Sequence, residues 1–278
     1  MNRKLSLLAV PYAVWLFLLV VIPILIMAVY AFTTSESAAT LENFTDMGIY
    51  ASVFVRSFRL AAIATLICLL IGYPAAYFMA GEGPNFQRVA LALIMLPMWM
   101  NFLLRTYSWM SILENNGLLN QLFQKIGLFS LLKIESFQML RTPGAVTLGM
   151  VYNYLPFMIL PIYSVILKLD RQLLEAARDL GANSAQVFLR VILPLSLPGV
   201  LSGVTMVFVP SVSTFAISRL LGGGTQMMLG DLIEQQFLGG AYNPHLGAAI
   251  SMVMMVIVVL CMALMNHFGE GEEQAVML

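Results

Sequence analysis

Six long apolar runs set the terms for this chain. A backbone inside hydrocarbon must satisfy its own N–H and C=O groups, and a helix of about 20 mostly apolar residues does this while crossing. Runs of that order fall at 7–32, 60–80, 89–110, 145–167, 199–218 and 246–268. The spacing predicts an all-α membrane protein with six transmembrane helices. Composition agrees, with 60% of residues hydrophobic and only 10% charged, where soluble domains carry about a quarter charged. The first run is too long for a signal-peptide core, so Arg3 and Lys4 mark the start of an uncleaved span.

Between the runs there is no room for a separate soluble domain, and residues 1–278 read as a single membrane domain. The longest connection, 111–142, contains an amphipathic stretch. Leu118, Leu119, Leu122, Phe123 and Ile126 take one side, and Asn120, Gln121, Gln124 and Lys125 the other, as in a helix lying at the outer membrane surface or packed across the helix ends. The tail 269–278, with Glu270, Glu272 and Glu273, reads as a frayed end. A formal net charge of zero and the lack of a basic run argue against a nucleic-acid partner.

Cofactor and catalytic signatures are missing. The sequence has no GxxxxGK[ST] loop, no HExxH and no Ser-His-Asp set. His245 and His267 fall near span ends, where a solvated or interfacial ring is expected. Cys68 and Cys261 sit in apolar runs as small hydrophobes, and the 20 methionines, unclustered with His or Cys, suit helix packing rather than a metal. The chain is therefore expected to bind no cofactor and to catalyse no reaction.

Within the spans, Pro74, Pro97, Pro156, Pro161 and Pro210 each remove a backbone hydrogen bond. With Pro156 and Pro161 both in it and Asn153 nearby, the fourth run is expected to be the most broken. Gly199 and Gly203, four apart, would let the fifth span approach a neighbour closely. No Asp or Glu lies in any of the six apolar cores.

One segment departs from the membrane pattern. Residues 168–194 read KLDRQLLEAARDLGANSAQVFLRVILP. Leu173, Leu174, Ala177 and Leu180 share a helical face, Gly181 stands where a C-cap needs positive φ, and Ser184 can cap a second short helix stopped by Pro194 and Pro198. Two short helices at an angle make a rigid knuckle between spans.

Glu175-Ala176-Ala177, three residues, Gly181, nine residues, then Val191-x-Leu193-Pro194 resembles the EAA motif of ATP-binding-cassette importer permeases, with Val191 where that pattern prefers Ile. The resemblance implies the type I ABC importer permease architecture and a coupling loop at 168–197 facing a cytoplasmic ATPase. In it, Glu175 and Asp179 are candidate polar contacts, Ala176 and Ala177 keep the helix slim, Gly181 sets the angle, and Leu193-Pro194 closes the motif. It also settles an orientation that charge alone leaves even. With the N-terminus inside, seven basic residues fall on each side, Arg105 among the outer set. Both termini are then cytoplasmic, in a bacterial cell membrane. Implied partners are a sister permease, two copies of an ATPase subunit carrying ATP and Mg, and an extracytoplasmic substrate-binding protein.

A second stretch, Pro97-x-Trp99-x-Asn101-x-Leu103-x-Arg105-x-Tyr107, is similar to the third-span signature of the spermidine/putrescine-type permeases. Leu155-Pro156-Phe157-Met158 and residues 220–238 also match that branch, and the similarity covers essentially the whole chain. It implies a polyamine cargo, or otherwise another small solute. Aromatic faces attract a polycation by about 0.5–2 kcal/mol per contact, and Trp99, Tyr107, Trp109, Tyr152, Tyr154 and Tyr163 supply them. Trp99, Asn101, Tyr107, Tyr152 and Asn153 are the candidate pathway residues, with Asp231 and Glu234 as carboxylates at the outer mouth. A stand-alone secondary transporter is the rival reading, and it usually carries ionisable residues within its spans.

Overall fold

The computed structural model describes residues 11–12, 14–34, 38–127 and 136–276. Arg3, Lys4 and Lys133, and the side chains of His267, Glu270, Glu272 and Glu273, lie outside the described residues. Those that are described are helical apart from turns and one isolated pairing, Thr33 with Ala39. Two compact units emerge, one from the chain up to Ser52 with Leu232–Val259, the other from Val53–Asp231 with the chain from Leu260 on.

In the first unit a π turn, Phe17–Val21, runs into α1 (Ile22–Ala31), and together they form the apolar span Val14–Ala31. Asn43, on the short helix α2 (Glu42–Asp46), donates its Nδ2 to the carbonyls of Ala31 and Thr33, both at 3.0 Å, serving the end of α1. Ala31 packs on Ala248 and Ala249, residues whose small side chains let helices approach closely. His245 donates Nδ1–H to the Tyr30 carbonyl at 3.1 Å and stacks on the Tyr30 ring.

The second unit is assembled around two long helices. Its elements are α3 (Ala51–Gly81), α4 (Pro84–Trp99), α5 (Phe102–Leu113), α6 (Leu118–Lys125), α7 (Pro143–Leu167), α8 (Arg171–Asp179), α9 (Ser184–Val187), α10 (Leu193–Ser213) and α11 (Ala216–Gly222). Helix α12 (Leu229–Leu238) leads to α13 (Pro244–Val276), and residues 232–259 of this stretch belong to the first unit. Helices α7 and α10 meet at glycines. A Cβ on Gly203 would stand 2.8 Å from Met158 Sδ, and one on Gly199 would stand 2.9 Å from the Pro161 carbonyl oxygen. The expected role of this glycine pair is thus realised, and Cys68, Met158, Ile162 and Val207 are fully or nearly fully buried around it. Tyr73 of α3 and Ser196 of α10 share a buried hydroxyl–hydroxyl bond of 2.7 Å.

Among the described residues five helices are long and apolar enough to cross a membrane, or six with one bent pair taken as a single span, in line with the expected count. That pair is Pro84–Trp99 with Phe102–Lys125, bent by 92° just after Pro97. Several details of the spans need correction. The fourth span, expected to be the most broken, is instead one continuous helix through Pro156 and Pro161. In hydrocarbon a full break would strand more backbone groups than a proline does, so packing on α10 carries the helix past both. The second span begins nine residues early, since α3 continues through Arg56 and Arg59; at 31 residues and about 1.5 Å per residue it outruns a core of about 30 Å. The fifth stops at Ser213 rather than Ser218. The tail expected to fray continues α13 to Val276. In α6 one residue of the polar side is turned inward: Asn120, only 3% exposed, clamps the Phe137 backbone through bonds of 3.0 and 3.1 Å, while Gln121, Gln124 and Lys125 stay exposed together with Leu118 and Leu122.

Gly203→Val is expected to destabilise the protein by about 1–3 kcal/mol through overpacking. Gly81→Ala, whose Cβ would meet nothing within 4 Å, is expected to leave stability level or slightly higher. Thermal unfolding in detergent compares them, and equal midpoints would contradict the α7–α10 packing.

Candidate functional site

The knuckle is built by caps. Asp170 starts α8 by accepting the Gln172 N–H at 2.9 Å. At the other end the N–H of Gly181 bonds the Arg178 carbonyl (2.8 Å) and that of Ala182 the Ala177 carbonyl (3.1 Å), with Gly181 at φ +86. This is a Schellman turn, and the glycine expectation holds. The next cap is Asn183, not Ser184. Asn183 Oδ1 accepts from the Gln186 N–H, and Gln186 Oε1 accepts from the Asn183 N–H, both at 2.9 Å. Asn accepts as readily as Ser, and only Asn183 has a Gln three residues on to complete the reciprocal box.

Nor does the second knuckle helix stop at Pro194. Helix α9 continues through a π turn, Phe188–Ile192, directly into α10, so that Ser184–Ser213 is one run of 30 residues. The Leu193 N–H reaches the Phe188 carbonyl, and this slip in register lets the helix accept Pro194 at its next turn without ending. The knuckle is therefore one short helix joined by a glycine turn to the end of a span.

Helix α8 divides the candidate residues by direction. Leu174 and Ala177 are half-buried toward the body, while Ala176, Asp179 and Leu180 are exposed, Leu180 at 90%. Glu175 and Arg178 are also exposed, yet both line a cavity of about 520 Å³ behind the helix, with Glu82, Tyr77 and Ile192. Leu193 packs against the α7–α10 core. The exposed apolar residues Leu173 and Leu180 were noted in the sequence as one face but not as candidates; their position beside the glycine turn is the signal that marks them.

The candidate pathway residues do not form one group. Trp99 ends α4 at 80% exposure and Tyr107 is exposed on α5. Asn101 is a helix cap, its Oδ1 accepting from the N–H groups of Leu103 (2.9 Å) and Leu104 (3.2 Å) where α5 begins after the 92° bend. Asn153 is buried on α7, donates Nδ2 to the Gly149 carbonyl at 2.7 Å, and leaves Oδ1 without a partner. Asp231 is buried at the start of α12, where its carboxylate accepts from the Met228 N–H at 3.0 Å, and Glu234 lies one turn on in the same helix. Of the other aromatics, Tyr163 donates to Gln87 Oε1 at 3.1 Å and Tyr154 to the Pro210 carbonyl at 3.4 Å.

What the structure does bring together is Tyr152, Trp109 and a residue placed earlier with an outer loop, Arg105. The Trp109 ring meets Tyr152 edge-on with centroids 5.1 Å apart, and the Arg105 guanidinium carbon stands 5.7 Å from the Tyr152 centroid. Arg105 is only 8% exposed and also donates to the Pro97 carbonyl across the bend. Counting it as an outer-side cation did not allow for the 92° bend between α4 and α5. A lone charge eight residues after a proline in an apolar run was the available signal.

The sequence profile of the family described as "Binding-protein-dependent transport system inner membrane component" matches residues 4–271. The chain belongs to this family. It is a multi-pass membrane permease, a transport subunit rather than an enzyme. The spermidine/putrescine transport system permease protein PotB of Haemophilus influenzae is 41% identical over 254 residues, 88% of this chain and 87% of that protein. PotB of Escherichia coli K12 is 38% identical over 251 residues, covering 87% and 90%. Among solved structures, a bacterial ABC transporter that imports alginate superposes with a TM-score of 0.75 at 17% identity, over 96% of this chain and 95% of that one. The methionine transporter MetNI superposes at 0.57 and 18% identity, over 84% and 98%. These two likenesses establish the type I importer permease fold.

Asn183→Ala is expected to cost about 1 kcal/mol of local stability, whereas Ser184→Ala should cost little. Limited proteolysis within 168–197 reads the difference; equal cutting of the two variants would contradict the Asn183 cap.

Proposed function

We propose that this permease is one of two transmembrane subunits of an ATP-driven polyamine importer. Its knuckle receives the movement of cytoplasmic ATPases and passes it to the span that packs most closely within the larger unit. The supporting observation is the uninterrupted run Ser184–Ser213. A push on α8 crosses one Schellman turn and enters a helix seated on α7 at Gly199 and Gly203, where there is no slack to absorb it. Residues 1–278 act as a single permease domain in this reading. Glu175, Ala176, Ala177, Asp179 and Gly181 form the coupling surface, with Leu193 and Pro194 at the root of the driven helix.

The assembly consists of this chain, a sister permease, two ATPase subunits holding ATP and Mg, and an extracytoplasmic binding protein that delivers cargo. One of the alginate-importer structures is of a complex with a periplasmic protein carrying an alginate pentasaccharide, which supports that arrangement by analogy. The knuckle and both termini then face the cytoplasm. Closure of the ATPases opens the pore outward, and hydrolysis resets it. The spermidine/putrescine names of the two PotB relatives support the cargo, and aromatic faces such as Tyr152 suit a polycation; with no carboxylate in the apolar cores, tight recognition falls to the binding protein and the sister permease.

Cells expressing the permease with its neighbouring genes are expected to take up radiolabelled spermidine and putrescine only while ATP is available. Gly181→Val should reduce uptake to background while the complex still inserts, because a β-branched residue at positive φ is strained, and Gly181→Asn should retain most of it. Normal uptake by Gly181→Val would overturn the coupling role. ATP-dependent activity with no polyamine uptake would overturn the cargo.

A further inference from the structure

Arg105 has no task in the coupling just described, yet its setting is costly. Among the described residues no other Lys or Arg is buried. Helix α4 has 16 residues and so spans about 24 Å, short of a hydrocarbon core of about 30 Å. The bend that follows, and Arg105 with it, therefore falls at membrane depth. A charged side chain beside a broken helix at that depth marks a functional site more often than a structural one.

The guanidinium is also lightly held. Of its five N–H donors, one serves the Pro97 carbonyl, while the buried Nε has no partner at all. No carboxylate lies in the apolar cores to neutralise it. What compensates the charge is the Tyr152 ring at 5.7 Å, itself backed edge-on by Trp109. A face that accepts a guanidinium accepts an ammonium by the same quadrupole attraction.

We propose that Arg105 is a tethered stand-in for the cargo, a specificity-determining residue that holds the Tyr152 face while the permease is empty. This rests on the polyamine reading above. During transport an ammonium group of a linear polyamine takes the face, and Arg105, with little else to release, yields it. Two cations cannot share one ring face without repulsion, so the return of Arg105 expels the cargo. The site binds weakly by construction, as a relay point must, and in the resting state its fixed positive charge turns away small inorganic cations.

The test uses the complete importer in nanodiscs without the binding protein, with radiolabelled spermidine as the probe. Arg105→Gln removes the competitor, and spermidine affinity is expected to rise by roughly two- to thirtyfold, the equivalent of one cation–π contact, while maximal transport slows. Adding Tyr152→Leu should abolish the gain. Arg105→Lys keeps the charge but loses the planar stack, and should gain less than Arg105→Gln; it serves also if Arg105→Gln does not assemble. A purely structural Arg105 would lower transport without raising affinity, and that result, or a gain that survives Tyr152→Leu, would overturn the inference. A wild-type importer with ATP-driven activity but no spermidine uptake would instead overturn the cargo reading beneath it.

Discussion

Hydrocarbon offers a peptide group no hydrogen-bond partner, and the architecture of this permease follows from where that rule is met by helix and where it is met by side chains. Along α7 the helix itself meets it, carried past two prolines by its packing on α10. Where the third span bends by 92°, side chains take over. Asn101 accepts the N–H groups that open α5, and Arg105 donates back to the Pro97 carbonyl of α4. The bend is thus served from both directions, and the residue that does half of that service also brings a charge to the aromatic pair.

The same economy shapes the knuckle. Capping side chains occupy the orphan groups at the start of α8 and of α9, and a Schellman turn closes the gap between them. A π turn then splices α9 onto α10 instead of ending it. The consequence is mechanical. An exposed helix carrying Leu173 and Leu180 is joined by one glycine turn to a span whose own glycines lie against α7. Close packing of that span on α7 makes it respond as a body rather than by bending.

Much of this was legible in the residues. Apolar length located the membrane helices, the Gly181 turn was written in its position after an amphipathic run, and Gly199 and Gly203 announced a close approach. The errors share a cause. Proline was read as a stop at Pro194 and as a break at Pro156 and Pro161, because in water a proline leaves groups that solvent can satisfy and the helix can end there. In a membrane the helix has nowhere to end, so it absorbs the proline through a π turn or through packing. The break came instead at Met100–Asn101, where the cap was visible in Asn101 but its consequence for Arg105 required the bend. Asn120 misled for a related reason, since an amphipathic pattern shows two sides without telling which one meets lipid.

The central claim is that α8 is the surface through which the motor acts, and a photo-crosslinking side chain at Leu180 in the intact importer tests it directly. The account expects the adduct to form with an ATPase subunit and to change in yield between the nucleotide-free and ATP-bound states. An adduct only with lipid or with the binding protein, indifferent to nucleotide, would contradict it.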